Sequence, residues 1–286
     1  MRPASGSQND ISIDPDAALK AARRALVLLD PHLAEQLLRT AGFDGFEGSF
    51  TLGTALSAQG RVDEADEALA SAARLATSDE ERARAISRRG VNLSTRAGRF
   101  EEAASLLEDG MATLTDPGWR SYVAADLAYA RLWFGRRDSS VVERVDGGQP
   151  PAVRANECLA GAVIAVMGGE LTLADELVAE GLPLAPSILD DVPTARELLT
   201  LSRFLSLAFR GDSAGATTVA AVELGRALDG SAGALGTWFA VRSMQRLIDG
   251  DLDRAVADAR EAEWRLDLVG VADRSELAQV VVRTAT

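Results

Sequence analysis

The chain has 286 residues, 43 acidic and 30 basic, for a net charge of −13 spread along its length, which argues against direct binding to nucleic acid phosphates because that needs clustered Lys and Arg. A single cysteine, Cys158, and a single histidine, His32, exclude an intramolecular disulfide and an ordinary zinc site, and a lone thiol suits a reducing, cytoplasmic setting. Lys20 is the sole lysine and belongs to no Gly-x-x-x-x-Gly-Lys phosphate loop, while no apolar run approaches the ~20 residues of a membrane helix.

Residues 1–12 are mostly small and polar, lack the apolar core of a signal peptide and are expected to be disordered. Asp14-Pro15-Asp16 then opens a helix, with an Asp cap and Pro in the first turn, that runs to Leu29. Asp30-Pro31 starts a second helix by the same device, through Thr40, and a glycine-rich loop follows over residues 42–48. From Ser49 onward six glycines recur, Gly60, Gly98, Gly135, Gly169, Gly211 and Gly250, at intervals of 38, 37, 34, 42 and 39 residues. Each closes an apolar helical stretch, and five residues after each comes a small residue: Ala65, Ala103, Ser140, Ala174, Ala216 or Ala255. Glycine tolerates the left-handed backbone just past a helix end, and a small residue one turn into the next helix lets two antiparallel helices approach closely. Each period is therefore a helix, a tight turn and a second helix, the signature of an α-solenoid. The third unit is the most degenerate, with Arg144 where an apolar residue is expected. Gly147-Gly148-Gln149-Pro150-Pro151 is the strongest interior break; Pro183, Pro186 and Pro193 mark another long turn, and Val280-Val281-Val282 belong to a final helix.

Leu52 and Gly53 before Gly60, then Ala65, Leu69 and Ala72 after it, resemble a tetratricopeptide (TPR) repeat, and Gly98, Ala103 and Leu107 keep part of that pattern. The expected fold is all-α, a TPR-like α-solenoid. Residues 13–286 form one helical-repeat domain of about six helix pairs preceded by two N-terminal helices. A broader resemblance covers nearly the whole chain. Arg23-Arg24-Ala25-Leu26, the stretch from Asp30 to Leu38, the repeat ending Gln59-Gly60-Arg61, Ala130 to Arg136 and the unit from Trp238 to Arg260 resemble the helical-repeat region of large LuxR-family transcription regulators, similar to the maltose-regulon activator type. That resemblance implies a sensor region binding a small-molecule inducer or a regulatory protein, with DNA contacted only through a separate helix-turn-helix domain absent from this chain. Self-association is compatible with such an array; no membrane contact is expected.

No catalytic constellation stands out. Gly211-Asp212-Ser213-Ala214-Gly215 matches the G-x-S-x-G nucleophile elbow, which needs a strand before it and a histidine after it. Here a helical stretch precedes it, and His32 lies far upstream. Asp249-Gly250-Asp251-Leu252-Asp253 lacks the glycine and glutamate spacing of a calcium loop. The expectation is a non-enzymatic chain with no cofactor and no metal.

The TPR resemblance implies that the first helix of each pair lines a concave face, with ligand-facing positions 13, 10, 6, 3 and 2 residues before the turn glycine. In the second unit these include Arg88, Asn92 and Arg96, and in the third Tyr122, Tyr129 and Trp133. Arg88, Asn92 and Arg96 are spaced i, i+4, i+8, a single helical stripe that could grip a carboxylate or phosphate, beside aromatics that supply an apolar floor. In the last three units the same positions turn apolar, at Leu159, Val163, Met167, Leu201, Leu205, Phe209, Met244 and Ile248. They form either core or a groove for an apolar ligand or helix. Two functions remain open: the sensor domain of a LuxR-type regulator, binding on the concave face, and a free-standing TPR-like protein-protein interaction scaffold.

Overall fold

A computed structural model describes residues 14–132, 149–228, 232–268 and 272–285. The expected N-terminal disordered segment, Trp133, Gly135, Arg144 and Gly147-Gly148 lie outside the described residues. Among those described there are fourteen α-helices and no strand: α1 (Pro15–Val27), α2 (Pro31–Ala41), α3 (Phe46–Ala58), α4 (Val62–Leu75), α5 (Asp79–Val91), α6 (Phe100–Ala112), α7 (Pro117–Leu132), α8 (Pro151–Gly168), α9 (Leu171–Leu184), α10 (Ala195–Phe209), α11 (Ser213–Ala227), α12 (Ala232–Ile248), α13 (Leu252–Leu268) and α14 (Ala272–Ala285). Successive helices pack as pairs, α1 on α2, α3 on α4, α5 on α6, α8 on α9, α10 on α11 and α12 on α13. The result is an all-α, TPR-like solenoid.

Capping follows the sequence. Asp30 accepts from Leu33 N at 3.0 Å and starts α2, and Ser78 accepts from Glu81 N at 3.1 Å while Glu81 accepts from Thr77 N, closing the start of α5. Five of the repeating glycines, Gly60, Gly98, Gly169, Gly211 and Gly250, turn the chain with φ between 63 and 80°, a region costly for any residue with a Cβ. Ala65, Ala103, Ala174, Ala216 and Ala255, five residues on, are each fully buried. Gly53 serves closeness of a different kind: a Cβ there would lie 2.5 Å from Leu69 Cγ, so α3 and α4 touch through its missing side chain.

The core runs along the array as a string of clusters, each shared by neighbouring helices. One is built on Leu107, Tyr122 and Val123, another on Cys158, Leu177 and Leu199, and another on Phe204, Leu224 and Trp238. Buried or half-buried arginines clamp neighbouring helices: Arg89 to Asp66, Arg154 to Glu180, Arg196 to Glu223 and Arg242 to Asp258, each through two N–H···O bonds. The fork of guanidinium donors matches both carboxylate oxygens at once, which a lysine cannot do. After Val91, α5 widens into a π-helical turn over Asn92–Arg96, a local irregularity of the kind found at functional positions.

Candidate functional site on the inner face

The first helices of four successive units, α1, α3, α5 and α7, contribute charged and aromatic side chains to one inner face. Arg84 sits in α5 between Ala83 and Ala85, whose small side chains let its long stem lie inside the packing. Its guanidinium lies over the rings of Phe50, at 4.7 Å, and Phe46, at 5.3 Å. Those two rings stack on each other at 5.5 Å, so the cation rests on an aromatic floor. Arg84 Nε donates to Asp191 Oδ1 at 2.7 Å, and Nη1 donates to Glu47 Oε1 at 3.0 Å. The hydroxyl of Tyr122 in α7 donates to Asp191 Oδ2 at 2.9 Å, so both oxygens of that carboxylate are bound. Arg23 of α1 pairs with Glu47 and, at 2.9 Å, with Asp190.

Asp190 and Asp191 belong to the connection between α9 and α10. A short 3-10 turn over Ala185–Ile188, with Pro186 as its second residue, leads into it. The amides of Asp191 and Val192 both donate to Ile188 O, at 3.0 and 2.7 Å, and that knot aims the two carboxylates at α1, α5 and α7. The pairs so formed join residues 107 and 69 positions apart, in an array whose other contacts are mostly between neighbours.

Burial and charge oppose each other within the cluster. Burial disfavours charge on Arg84, but Asp191 and Glu47 outweigh it and raise the guanidinium pKa. Burial pushes Asp191 above its ordinary range against the pull of Arg84 and Tyr122, and burial next to Asp191 and Asp126 lifts the Tyr122 phenol. Asp126 of α7 is raised to about 7, by burial first, against the charge of Arg88 and a bond from Asn156 Nδ2 at 3.4 Å. Ser87 donates to the same Asp126 oxygen.

Arg88 and Arg96 line one cleft with Val91 and Thr95 of α5 and its π turn, Leu26 and Leu29 at the end of α1, Thr54 and Ser57 of α3, and Val192 and Pro193 of the connection. The cleft has a volume of about 90 Å³. That is well under the ~300 Å³ at which drug-sized pockets begin. Arg88 makes no hydrogen bond or ion pair with a described residue, although its charge reaches Asp126 and Asp191.

The other expected positions divide. Asn92 is fully buried and its Nδ2 donates to Val62 O at 3.0 Å, turned toward α4 and away from Arg88; its Oδ1 is buried without a partner. Tyr122 is core apart from its hydroxyl, 5.5 Å from the Trp119 ring and part of the carboxylate grip. Tyr129 is half-buried on α7, and Trp133 lies outside the described residues. Reasoning from the repeat missed Arg84, Glu47, Arg23 and the Asp190-Asp191 pair. Arg84 could have been found, since it stands one turn before Arg88 on the same stripe.

Ser213 begins α11 after helix α10, and Asp212 is an N-cap accepting from Gly215 N at 2.9 Å. Ser213 Oγ donates to Asp249 at 2.6 Å and accepts from Gln245, a link between adjacent turns. Among the described residues no group of three or more His, Cys, Asp or Glu could hold a metal ion, and no helix is long and apolar enough to cross a membrane. Of the apolar positions in the last units, Leu159 is core and Leu201, Leu205 and Met244 pack against core, while Met167, Phe209 and Ile248 remain exposed.

No family model and no curated protein matches the chain. Among solved structures it is similar to a tetratricopeptide repeat protein from Parabacteroides merdae ATCC 43184, at 16% identity and a TM-score of 0.45, over 92% of this chain and 98% of that one.

Proposed function

We propose that the chain is a non-catalytic protein-binding scaffold whose inner face receives a carboxylate-bearing segment of a partner at Arg88 and Arg96. The observation that carries this reading is the pairing of a worked example with an open place. One turn before Arg88, Arg84 donates to two carboxylates, Asp191 through Nε and Glu47 through Nη1, on an aromatic floor, and Arg88 lines a small cleft with no ion pair to a described residue. A charge-assisted hydrogen bond contributes about 1.5–3 kcal/mol, so each arginine is worth roughly tenfold or more in affinity. The test is fluorescence anisotropy with a labelled Asp-rich nonapeptide and a neutral peptide of equal length. The acidic peptide should bind, weaken as salt rises, and lose at least tenfold in Arg88→Ala/Arg96→Ala while circular dichroism shows the chain still helical. Equal affinity in that variant rejects the reading. The finer alternative, a cytoplasmic sensor domain of a LuxR-type regulator, rests on the sequence resemblance.

A further inference from the structure

We infer that the segment Leu189–Thr194 is a built-in occupant of this inner face, and that the partner segment is one of the same chemistry, adjacent carboxylates followed by an apolar residue and proline, competing with it for the site. The inference rests on the acid-binding reading given above. Three observations carry it. First, the segment contacts the face as a ligand does: Asp191 is gripped by side chains of α5 and of α7, the helix packed on α8, and Asp190 by one of α1, with α1 and α5 in units that are not its neighbours in the array. Second, its backbone amides at Asp191 and Val192 bond back to Ile188 inside the connection, so its hold on the face is made by side chains, which a second chain could supply equally. Third, the segment leaves Arg88 without an ion pair to a described residue while Val192 and Pro193 wall the cleft beside it. A partner with one further acid would satisfy Arg88 as well, gaining a charge-assisted bond that the internal segment does not make.

A tethered competitor acts at an effective concentration in the millimolar range. A peptide of intrinsic Kd near ~10 µM would then appear on the order of 100-fold weaker to the intact chain. The experiment uses the full chain and a fluorescein-labelled peptide copying residues 187–195, read by anisotropy. Asp190→Asn/Asp191→Asn in the protein should bind the peptide about 10–100-fold more tightly than the unaltered chain, by the same effective-concentration argument, and the peptide carrying both Asn replacements should not bind. Asp190→Asn alone serves if the double variant does not fold, since the Asp190 side chain is 51% exposed and the Arg84–Asp191 pair stays whole; a several-fold gain is expected. Excess acidic peptide added to the unaltered chain should also speed amide exchange in residues 189–195 while α5 stays protected. Equal affinity before and after removal of the internal carboxylates, with unchanged exchange, overturns the inference and leaves the Arg88 site standing. Affinity for the Asp-rich nonapeptide that is unchanged in Arg88→Ala/Arg96→Ala overturns the underlying reading instead.

Discussion

Arg84 and Asp191 give the sharpest test of how the inner face is held. The Arg84 side chain retains 10% of its surface and the Asp191 side chain 7%, so neither charge can turn to water if its partner is removed. Breaking a buried pair on one side costs about 3–5 kcal/mol, most of it from the stranded charge. Arg84→Met keeps the stem over Phe46 and Phe50 but strands Asp191 with the Tyr122 hydroxyl alone, for an expected loss of about 3–4 kcal/mol. Asp191→Ala strands Arg84 less completely, because Glu47 accepts from its Nη1, and about 2–3 kcal/mol is expected. The double variant carries neither stranded charge, so its loss should fall short of the sum by about 2 kcal/mol or more. Urea unfolding followed by circular dichroism at constant slope measures all three. Losses that add to within about 0.5 kcal/mol would show that the two groups are independent and that the connection is not held through them.

Other outcomes follow from the same geometry. Gly53→Val places methyls where Leu69 already lies 2.5 Å from the position of a Cβ, and should cost about 1–3 kcal/mol in thermal unfolding. Leu107→Ala empties a fully buried site against Gly90 and should cost about 2–5 kcal/mol. Asp126 binds its proton more tightly folded, near 7, than unfolded, near 3.8, so its contribution is complete below the lower value and is lost as pH rises through that window. The loss is at most about 4 kcal/mol, and Asp126→Asn should flatten that slope in urea titrations at pH 4–8. Glu35, drawn down to about 2 by Arg39, Gln59 and Arg61 against its burial, acts oppositely. It stabilises above its ordinary value of 4.5, and that share is lost on acidification toward 2, so Glu35→Gln should reduce the acid sensitivity of α2 measured by hydrogen exchange.

The repeat was legible because each unit states its needs locally. A left-handed turn asks for glycine and a close helix contact asks for alanine, and both appear at fixed offsets whatever surrounds them. Gly98 with Ala103, or Gly211 with Ala216, can be read without any knowledge of the rest of the chain. The inner face was not legible in the same way. Asn92 falls on the Arg88 stripe by spacing, but a buried amide must find partners, and Val62 O offers one on the α4 side. The π turn that begins at Asn92 also departs from the α-helical spacing on which the stripe was drawn. Asp190 and Asp191 look like polar residues of a proline-rich turn, since nothing nearby in sequence marks that the turn reaches α5, 107 residues back. Periodicity reports neighbours, and this contact skips them.

That skipped contact changes the mechanics of the array. A solenoid in which each unit touches only its neighbours has a stability that sums over units and interfaces, and it can open at any weak interface. Here the α9–α10 connection is bonded to α1, α5 and α7 at once, so opening the N-terminal half requires breaking the Arg23–Asp190, Arg84–Asp191 and Tyr122–Asp191 links together. The tie is electrostatic and desolvated, and it is made to the face on which Arg88 lines the cleft. On the competition proposed above, an acidic segment does two things in one step: it takes the arginines, and it frees the N-terminal units from the connection that holds them. By linkage, variants that loosen the tie from the connection side, at Asp190 or Asp191, must bind such a segment more tightly, and a segment that binds must loosen the tie to the same extent.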